Sequence, residues 1–107
     1  MTTDNLQNLK VLLLGCNGQL GIELSRVLSR RTSLTALDFP LIDFQNLEHL
    51  NKTIREMRPD VVFNAAAYTA VDQAESESAM AFQLNAAAPG VIARELKRTG
   101  GLLIHYS

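Results

Sequence analysis

Residues 10–21 read Lys-Val-Leu-Leu-Leu-Gly-Cys-Asn-Gly-Gln-Leu-Gly, a short apolar run followed by glycines at three-residue spacing. The apolar run predicts a buried strand, and the glycines predict a tight turn that leads into a helix. Gly15 suits a turn with positive φ, Gly18 lets a phosphate approach the backbone, and Gly21 lets the helix pack close to the strand. The N–H groups at the start of that helix would then face an anion such as a pyrophosphate.

The residues around these glycines favour a dinucleotide site over a plain β-to-α turn without a ligand. A strand precedes the turn, an amphipathic helix follows it, and Asp38 ends the next predicted strand. At that position a carboxylate is expected to accept hydrogen bonds from the adenosine ribose hydroxyls, although an aspartate there also suits a turn. Arg30 and Arg31 are near enough in sequence to keep NADP open beside NAD.

The rest of the chain alternates apolar strand patterns with helical ones and shows no linker or internal repeat. Short loops between such elements predict an α/β fold, a Rossmann-like doubly wound parallel sheet of about four strands. The expected strand order is 3-2-1-4, with ligands beyond the carboxyl ends of the strands. The patterns predict strands at 10–14, 34–37, 61–63 and 102–104. They predict helices at about 20–28 and 47–58 (capped by Asn46), and helical sequence from about Val71 that breaks near Asn85 and Pro89 and restarts, with Asn85 as its cap, up to residue 99.

Two further stretches are candidates for the same site. Asp43 and Phe44 could line an adenine, but Phe44 fits equally well as a packing residue ahead of the second helix. The run Ala65–Ala67, after Asn64, has side chains small enough for a cofactor to pass closely, and small residues also suit tight helix packing. The third strand, Val-Val-Phe at 61–63, is continuously apolar and is expected to be buried on both faces.

Composition limits the remaining possibilities. With 107 residues the chain is one domain at most. Its 10 basic side chains nearly balance its 11 acidic ones, and it has no tryptophan, so neither nucleic acid nor a membrane is expected as the partner. Residues 1–8 form a polar tail without features of a signal peptide, and residues 9–107 form the domain. The single cysteine, Cys16, fits a reducing, cytoplasmic setting and is either a turn filler or a thiol activated by the helix. No metal site is expected, with His49 on the surface and His105 satisfied in the sheet.

Three segments together carry a family resemblance: the turn at 15–21, the run Arg-Pro-Asp-Val-Val-Phe-Asn-Ala-Ala-Ala-Tyr-Thr-Ala-Val-Asp-Gln-Ala-Glu-Ser-Glu at 58–77, and Ile-His-Tyr-Ser at 104–107. The chain resembles the N-terminal part of dTDP-4-dehydrorhamnose reductases, members of the extended short-chain dehydrogenases. The resemblance implies reduction of dTDP-4-dehydro-6-deoxy-L-mannose to dTDP-L-rhamnose, a step of sugar-nucleotide biosynthesis. It also implies NADPH or NADH as cofactor, a dTDP-sugar as substrate, and this chain as the cofactor-binding part.

The resemblance assigns cofactor-binding residues but no catalytic ones. The family's proton donor belongs to a Tyr-x-x-x-Lys motif, whereas Tyr68 is followed by Asp72 at the lysine position, and the catalytic Thr would come after Ser107. A non-catalytic nucleotide-binding or regulatory module of the same superfamily is the alternative. The residues assigned to the cofactor are Gly15, Asn17, Gly18, Gln19, Leu20 and Gly21 at the pyrophosphate, Asp38 at the ribose, Asp43 and Phe44 near adenine, Ala65, Ala66 and Ala67 along the cofactor, and Tyr106 near the nicotinamide.

The last predicted strand suggests how copies of the chain associate. Leu102, Leu103 and Ile104 are apolar, without a proline or lysine to protect an edge. Because such an edge offers unpaired N–H and C=O groups, a homo-oligomer formed through this strand is expected. The alternative is a strand too short to pair, which would fray and leave a monomer.

Overall fold

The computed structural model describes residues 7–66 and 86–106. In this part of the chain strands and helices alternate, as the sequence patterns predict. The elements are β1 (Lys10–Leu14), α1 (Gln19–Leu28), β2 (Ser33–Leu37), α2 (Leu47–Met57), β3 (Val61–Asn64), α3 (Ala88–Thr99) and β4 (Leu102–His105).

The strands form a parallel sheet in the order β2-β1-β3-β4. In its register Val11 lies beside Leu34 on one side and beside Val61 on the other, and Val62 lies beside Leu103. The predicted α/β class with a Rossmann-like parallel sheet is therefore confirmed. The predicted order 3-2-1-4 is wrong, since the third strand pairs with β1 and not with β2.

The segment between β2 and α2 explains the observed order. Its residues Ile42 and Phe44 are buried in the core together with Leu12 and Leu14 of β1, so the segment crosses over β1. From there a right-handed crossover through α2 delivers the next strand to the free edge of β1. The point where the strand order reverses, at which such sheets bind ligands, consequently lies between β1 and β3.

The main core lies on the sheet face covered by α2 and α3. Leu12, Leu14 and Val62 meet Leu50 and Ile54 of α2 and Ile92 and Leu96 of α3, and all are nearly inaccessible to solvent. Helix α1 packs against β1 and β2. The doubly wound connections place it on the opposite face, toward which Val11 and Leu13 point.

Two burial predictions are wrong in detail. Val27 lies at helical spacing with Leu20 and Leu24, a pattern that predicts a place on the apolar face of α1, but Val27 is 56% exposed. In β3 only one face is fully buried in the described part of the chain, because Val62 and Asn64 are buried whereas Val61 and Phe63 are half-buried. An apolar run identifies a strand, but the degree of burial of each strand face depends on the helices that pack against it.

The helix ends follow from local chemistry. The Asn46 side chain caps α2 by accepting the N–H of His49 at 3.1 Å. Pro89 lies in the first turn of α3, where its missing N–H leaves no hydrogen bond unmade, and Gly100 ends α3 with φ of 83°. The predicted cap at Asn85 and the predicted helical stretch from about Val71 to that cap lie outside the described residues.

Candidate functional site

The carboxyl ends of the strands lie side by side. Beyond the regular ladder, Gly15 N–H donates to Leu37 O at 2.9 Å and Ala65 N–H donates to Leu14 O at 2.9 Å. Tyr106 N–H donates to Asn64 O at 3.1 Å. The turns that follow β1, β2, β3 and β4 are thereby held along one edge of the sheet, in the strand order.

The turn after β1 needs glycine at two places. Gly15 has φ of 85°, and a Cβ there would lie 2.6 Å from Ala66 N and 2.7 Å from Ala66 Cα. A Cβ on Gly21 would collide with the carbonyl oxygen of Gly15. The predicted roles of Gly15 in the turn and of Gly21 in close helix packing are thus observed, and the β1 turn sits directly against the turn after β3.

The start of α1 is suited to an anion. Gly18 is its N-cap in an extended conformation, with φ of −79°, no side chain caps the helix, and its first turn contains no acidic residue. The first N–H groups of a helix, here including those of Gln19 and Leu20, have no partner within the helix, and they lie at the positive end of its dipole. These features fit the pyrophosphate of a dinucleotide.

Asp38 lies beside the same turn. Its Oδ2 accepts the N–H of Asn17 at 2.9 Å, and its Oδ1 accepts the N–H of Phe39 at 2.8 Å. This geometry is compatible with both roles predicted for Asp38, a turn residue and an acceptor for ribose hydroxyls. The carboxylate shapes the local turn and also lies next to the glycine turn. Contact with a ribose stays a prediction.

The loop after Asp38 differs from the expectation for an adenine contact. Asp43 Oδ1 accepts the N–H of Gln45 at 2.9 Å, and Phe44 is only 7% exposed within the core. The burial of Phe44 favours the packing alternative. Phe39 and Leu41, which the sequence analysis did not single out, are 64% and 71% exposed and flank Pro40, whose peptide bond is cis.

The turn after β3 is organised by a buried amide. Asn64 is 1% exposed, its Oδ1 accepts the N–H of Ala66 at 3.2 Å, and its Nδ2 lies 3.1 Å from Nδ1 of His105. His105 is thus a satisfied sheet histidine, as predicted. Ala65 and Ala66 are buried, and Ala67 lies outside the described residues. The sequence placed Asn64 at a strand end but gave no signal of its pairing with His105, since the two are 41 positions apart.

Cys16 shows no sign of activation. Burial and, to a smaller extent, the Asp38 carboxylate raise the pKa of its thiol above the ordinary value. A thiol with a raised pKa stays protonated at neutral pH, which favours the turn-filler interpretation over a redox role.

No cluster of His, Cys, Asp or Glu that could hold a metal ion occurs within residues 7–66 and 86–106. None of the helices in those ranges has the length and apolarity needed to cross a bilayer. His49 lies exposed on α2, as expected.

Comparison with known proteins gives consistent matches. The family model described as the RmlD substrate binding domain matches residues 9–107. The dTDP-4-dehydrorhamnose reductase of Burkholderia thailandensis is 46% identical over 99 residues, which are 92% of this chain and 33% of that protein. The reductase of Salmonella typhimurium is 45% identical over 103 residues, covering 92% of this chain and 34% of that protein.

Solved structures agree with these relatives. A hypothetical dTDP-4-dehydrorhamnose reductase from Sulfolobus tokodaii superposes with a TM-score of 0.80 at 36% identity, covering 91% of this chain and 38% of that one. The Bacillus anthracis dTDP-4-dehydrorhamnose reductase in complex with NADP has a TM-score of 0.78 at 33% identity, covering 90% and 35%. The chain therefore spans about a third of the length of the curated relatives it matches.

Proposed function

Since the chain belongs to the RmlD substrate binding domain family, we propose that it binds NADPH or NADH as the cofactor-binding part of a dTDP-4-dehydrorhamnose reductase. Residues 9–107 would then form the N-terminal portion of the nucleotide-binding domain. The observation that carries this proposal is the glycine turn, which packs against Ala66 while leaving the start of α1 without a side-chain cap. Support also comes from a relative of 33% identity that is in complex with NADP.

The strand order suggests how the cofactor lies. A dinucleotide laid along the sheet edge would place its adenosine over β2, its pyrophosphate over β1 and its nicotinamide half over β3 and β4. Asp38 would then receive the adenosine ribose, and Asn17, Gly18, Gln19 and Leu20 would surround the phosphates. Ala65, Ala66 and Tyr106 would lie along the nicotinamide half, where the small, buried side chains of the alanines would let the cofactor pass close to the backbone.

For the adenine contact we propose a residue other than Phe44, which the family resemblance assigned there and which the sequence allowed equally well as a packing residue. Phe44 has little surface to offer, whereas Phe39 is directly bonded to Asp38 and is largely exposed. We assign the adenine contact to Phe39, with Leu41 on the other side of Pro40. Asp43 stays a candidate through its position in the same loop.

The reaction we propose for the longer protein is reduction of the 4-keto group of a dTDP-linked 6-deoxyhexose. The bound cofactor supplies the hydride, and the residues described above bind and orient it. Within the 107 residues there is no Tyr-x-x-x-Lys motif to donate the proton. We place the protein in the cytoplasm, where reduced thiols such as Cys16 are the rule.

Isothermal titration calorimetry with NADPH and NADH tests the binding proposal. We expect the chain to bind at least one of them, weakly, and not to reduce dTDP-4-dehydrorhamnose. Gly18→Val should lower the affinity by about tenfold or more, because its side chain stands where the phosphate approaches the backbone. Gly90→Val is a matched control, since a Cβ at Gly90 in α3 meets nothing within 4 Å.

Unchanged affinity in Gly18→Val would remove the site from this turn. Absence of binding by the unmodified chain to both cofactors would refute the proposed function itself.

A further inference from the structure

The turn after β3 is held by side chains from two strands. The amide of Asn64, at the end of β3, reaches both the backbone N–H of Ala66 and the imidazole of His105, at the end of β4. With 1% exposure Asn64 is one of two buried polar or charged side chains in the part of the chain that the structure describes. Burying an amide is unfavourable unless its polar atoms are paired, so the pairing itself fixes the amide's position.

The hydrogen bonds determine the state of the histidine ring. Because Oδ1 of Asn64 accepts the Ala66 N–H, its Nδ2 faces His105 and must donate. The Nδ1 atom of His105 is then the acceptor and carries no proton. A neutral ring in this arrangement has its proton on Nε2.

This pair stands where the nicotinamide half of the cofactor would lie. Ala66, whose N–H the pair fixes, is the residue against which the glycine turn packs, and Tyr106 follows His105 directly. A shift of Asn64 would move the Ala66 turn, whereas Asp38 follows β2, which lies on the other side of β1 from β3.

We propose that Asn64 and His105 are positioning residues, which act through Ala66 to set the binding of the nicotinamide half of the cofactor. The inference rests on the proposed function. Neither side chain needs to touch the cofactor, because both act on the backbone turn that borders it.

Two probes separate this role from a general effect on the fold. NADPH contains both halves of the cofactor, and adenosine 2′,5′-bisphosphate contains only the adenosine half. His105→Leu and Asn64→Leu should weaken NADPH binding by about five- to tenfold, the effect of losing one hydrogen bond, and adenosine 2′,5′-bisphosphate binding by less than about twofold.

A conservative variant provides the rescue. In His105→Asn the side-chain oxygen takes the place of Nδ1 and can accept from Asn64, so NADPH affinity should return to within about twofold of the unmodified chain. His49→Leu, on the exposed surface of α2, is the control for replacing a histidine with leucine. Circular dichroism checks that each variant is folded. If Asn64→Leu does not fold, the comparison of His105→Leu with His105→Asn still provides the test.

The proposal is overturned if both probes weaken equally, if neither changes, or if His105→Asn binds as poorly as His105→Leu. Nitrogen-15 NMR of the imidazole gives a second test that needs no cofactor. It should show Nδ1 of His105 unprotonated and Nε2 protonated, and the reverse tautomer would contradict the arrangement. If the unmodified chain binds neither these probes nor NADH, the proposed function fails, and the NMR result still decides whether the hydrogen bond between Asn64 and His105 exists.

Discussion

Gly15 and Gly100 show two different reasons why a position requires glycine. Both have positive φ, 85° and 83°, but a Cβ on Gly15 meets the Ala66 backbone at 2.6 Å, whereas one on Gly100 meets nothing within 4 Å. We expect Gly100→Ala to cost about 1 kcal/mol from the backbone conformation alone. Gly15→Ala should cost about 3 kcal/mol, because steric overlap is added. Urea unfolding of both variants measures the difference in the free energy of unfolding. Equal losses would show that the turn after β3 moves to accommodate the Cβ at residue 15 without loss of stability.

The charge of Asp38 leads to a prediction about cofactor choice. Asp38→Asn removes the negative charge that would repel a 2′-phosphate and weakens the hydrogen bonds to ribose hydroxyls. NADH affinity should fall by about tenfold, and NADPH affinity should fall less or rise.

Asp60→Asn is the matched control for this change. Asp60 Oδ2 accepts the N–H of Lys10 at 2.8 Å, at the opposite end of the sheet. Calorimetry with both cofactors on both variants checks the prediction. Equal losses of affinity for NADH and NADPH in Asp38→Asn would argue against a contact between Asp38 and the ribose, and would leave Asp38 only its role in shaping the turn.

At the scale of elements, α2 and α3 are joined by a charged contact. Glu95, with a side chain only 5% exposed, lies 2.9 Å from Arg55 Nη2 and 3.6 Å from Arg98 Nη1. The Nδ2 atom of Asn51 also donates to Glu95 Oε1, and the Asn51 Oδ1 atom accepts from Arg55 Nη2 at 3.2 Å. The hydrogen bond from Arg55, opposed by desolvation, lowers the pKa of Glu95 below the ordinary value. This carboxylate therefore adds stability above the pKa of glutamate in the unfolded chain and loses it as the pH falls through the lower folded value.

Glu95→Gln should destabilise the protein at pH 7, and the difference from the unmodified chain should shrink as the pH falls below about 4. Thermal unfolding at several pH values checks this expectation. Glu23→Gln is the control, since Glu23 pairs with Arg26 at 3.5 Å on the surface and both side chains are about 60% exposed. Exposed pairs of this kind contribute little. A pH-independent effect of Glu95→Gln would assign its role to packing and not to charge.

The elements also show what a sequence can and cannot predict. The Asn46 cap, the glycine turn at Gly15 and the end of α3 at Gly100 depend on neighbours in sequence, and all were predictable. The partner of β3 was not, because β1 and β2 each keep one free edge, and the choice depends on the path of the segment that buries Ile42 and Phe44 in the core. The same burial favours Phe44 as a packing residue over an adenine contact. Pairing of Asn64 with His105 depends on the register of β3 and β4, which local patterns do not encode.

At the scale of the whole molecule, β4 has a hydrogen-bonded neighbour on one side only among the described residues. Leu102 on this strand is 57% exposed, whereas Leu103 packs against the core. We propose that two copies associate through this edge, which would pair its free backbone groups and cover Leu102. Light scattering after size exclusion should give a mass above the monomer, and Leu102→Lys should return it to the monomer value. Val27→Lys, an equally exposed position on α1, should leave the mass unchanged, and a monomer in the unmodified chain would contradict the proposal.

If a nicotinamide dinucleotide lies across the carboxyl ends of the strands, an NADPH titration followed by amide NMR will trace its position. We expect the amide signals that shift to belong to Gly15–Gly21, Asp38–Phe39, Ala65–Ala66 and Tyr106. Amide signals from the amino ends of the strands, such as those of Lys10, Ser33 and Asp60, should not shift. Shifts centred on the amino ends, or the absence of shifts at the glycine turn, would rule out this position of the cofactor.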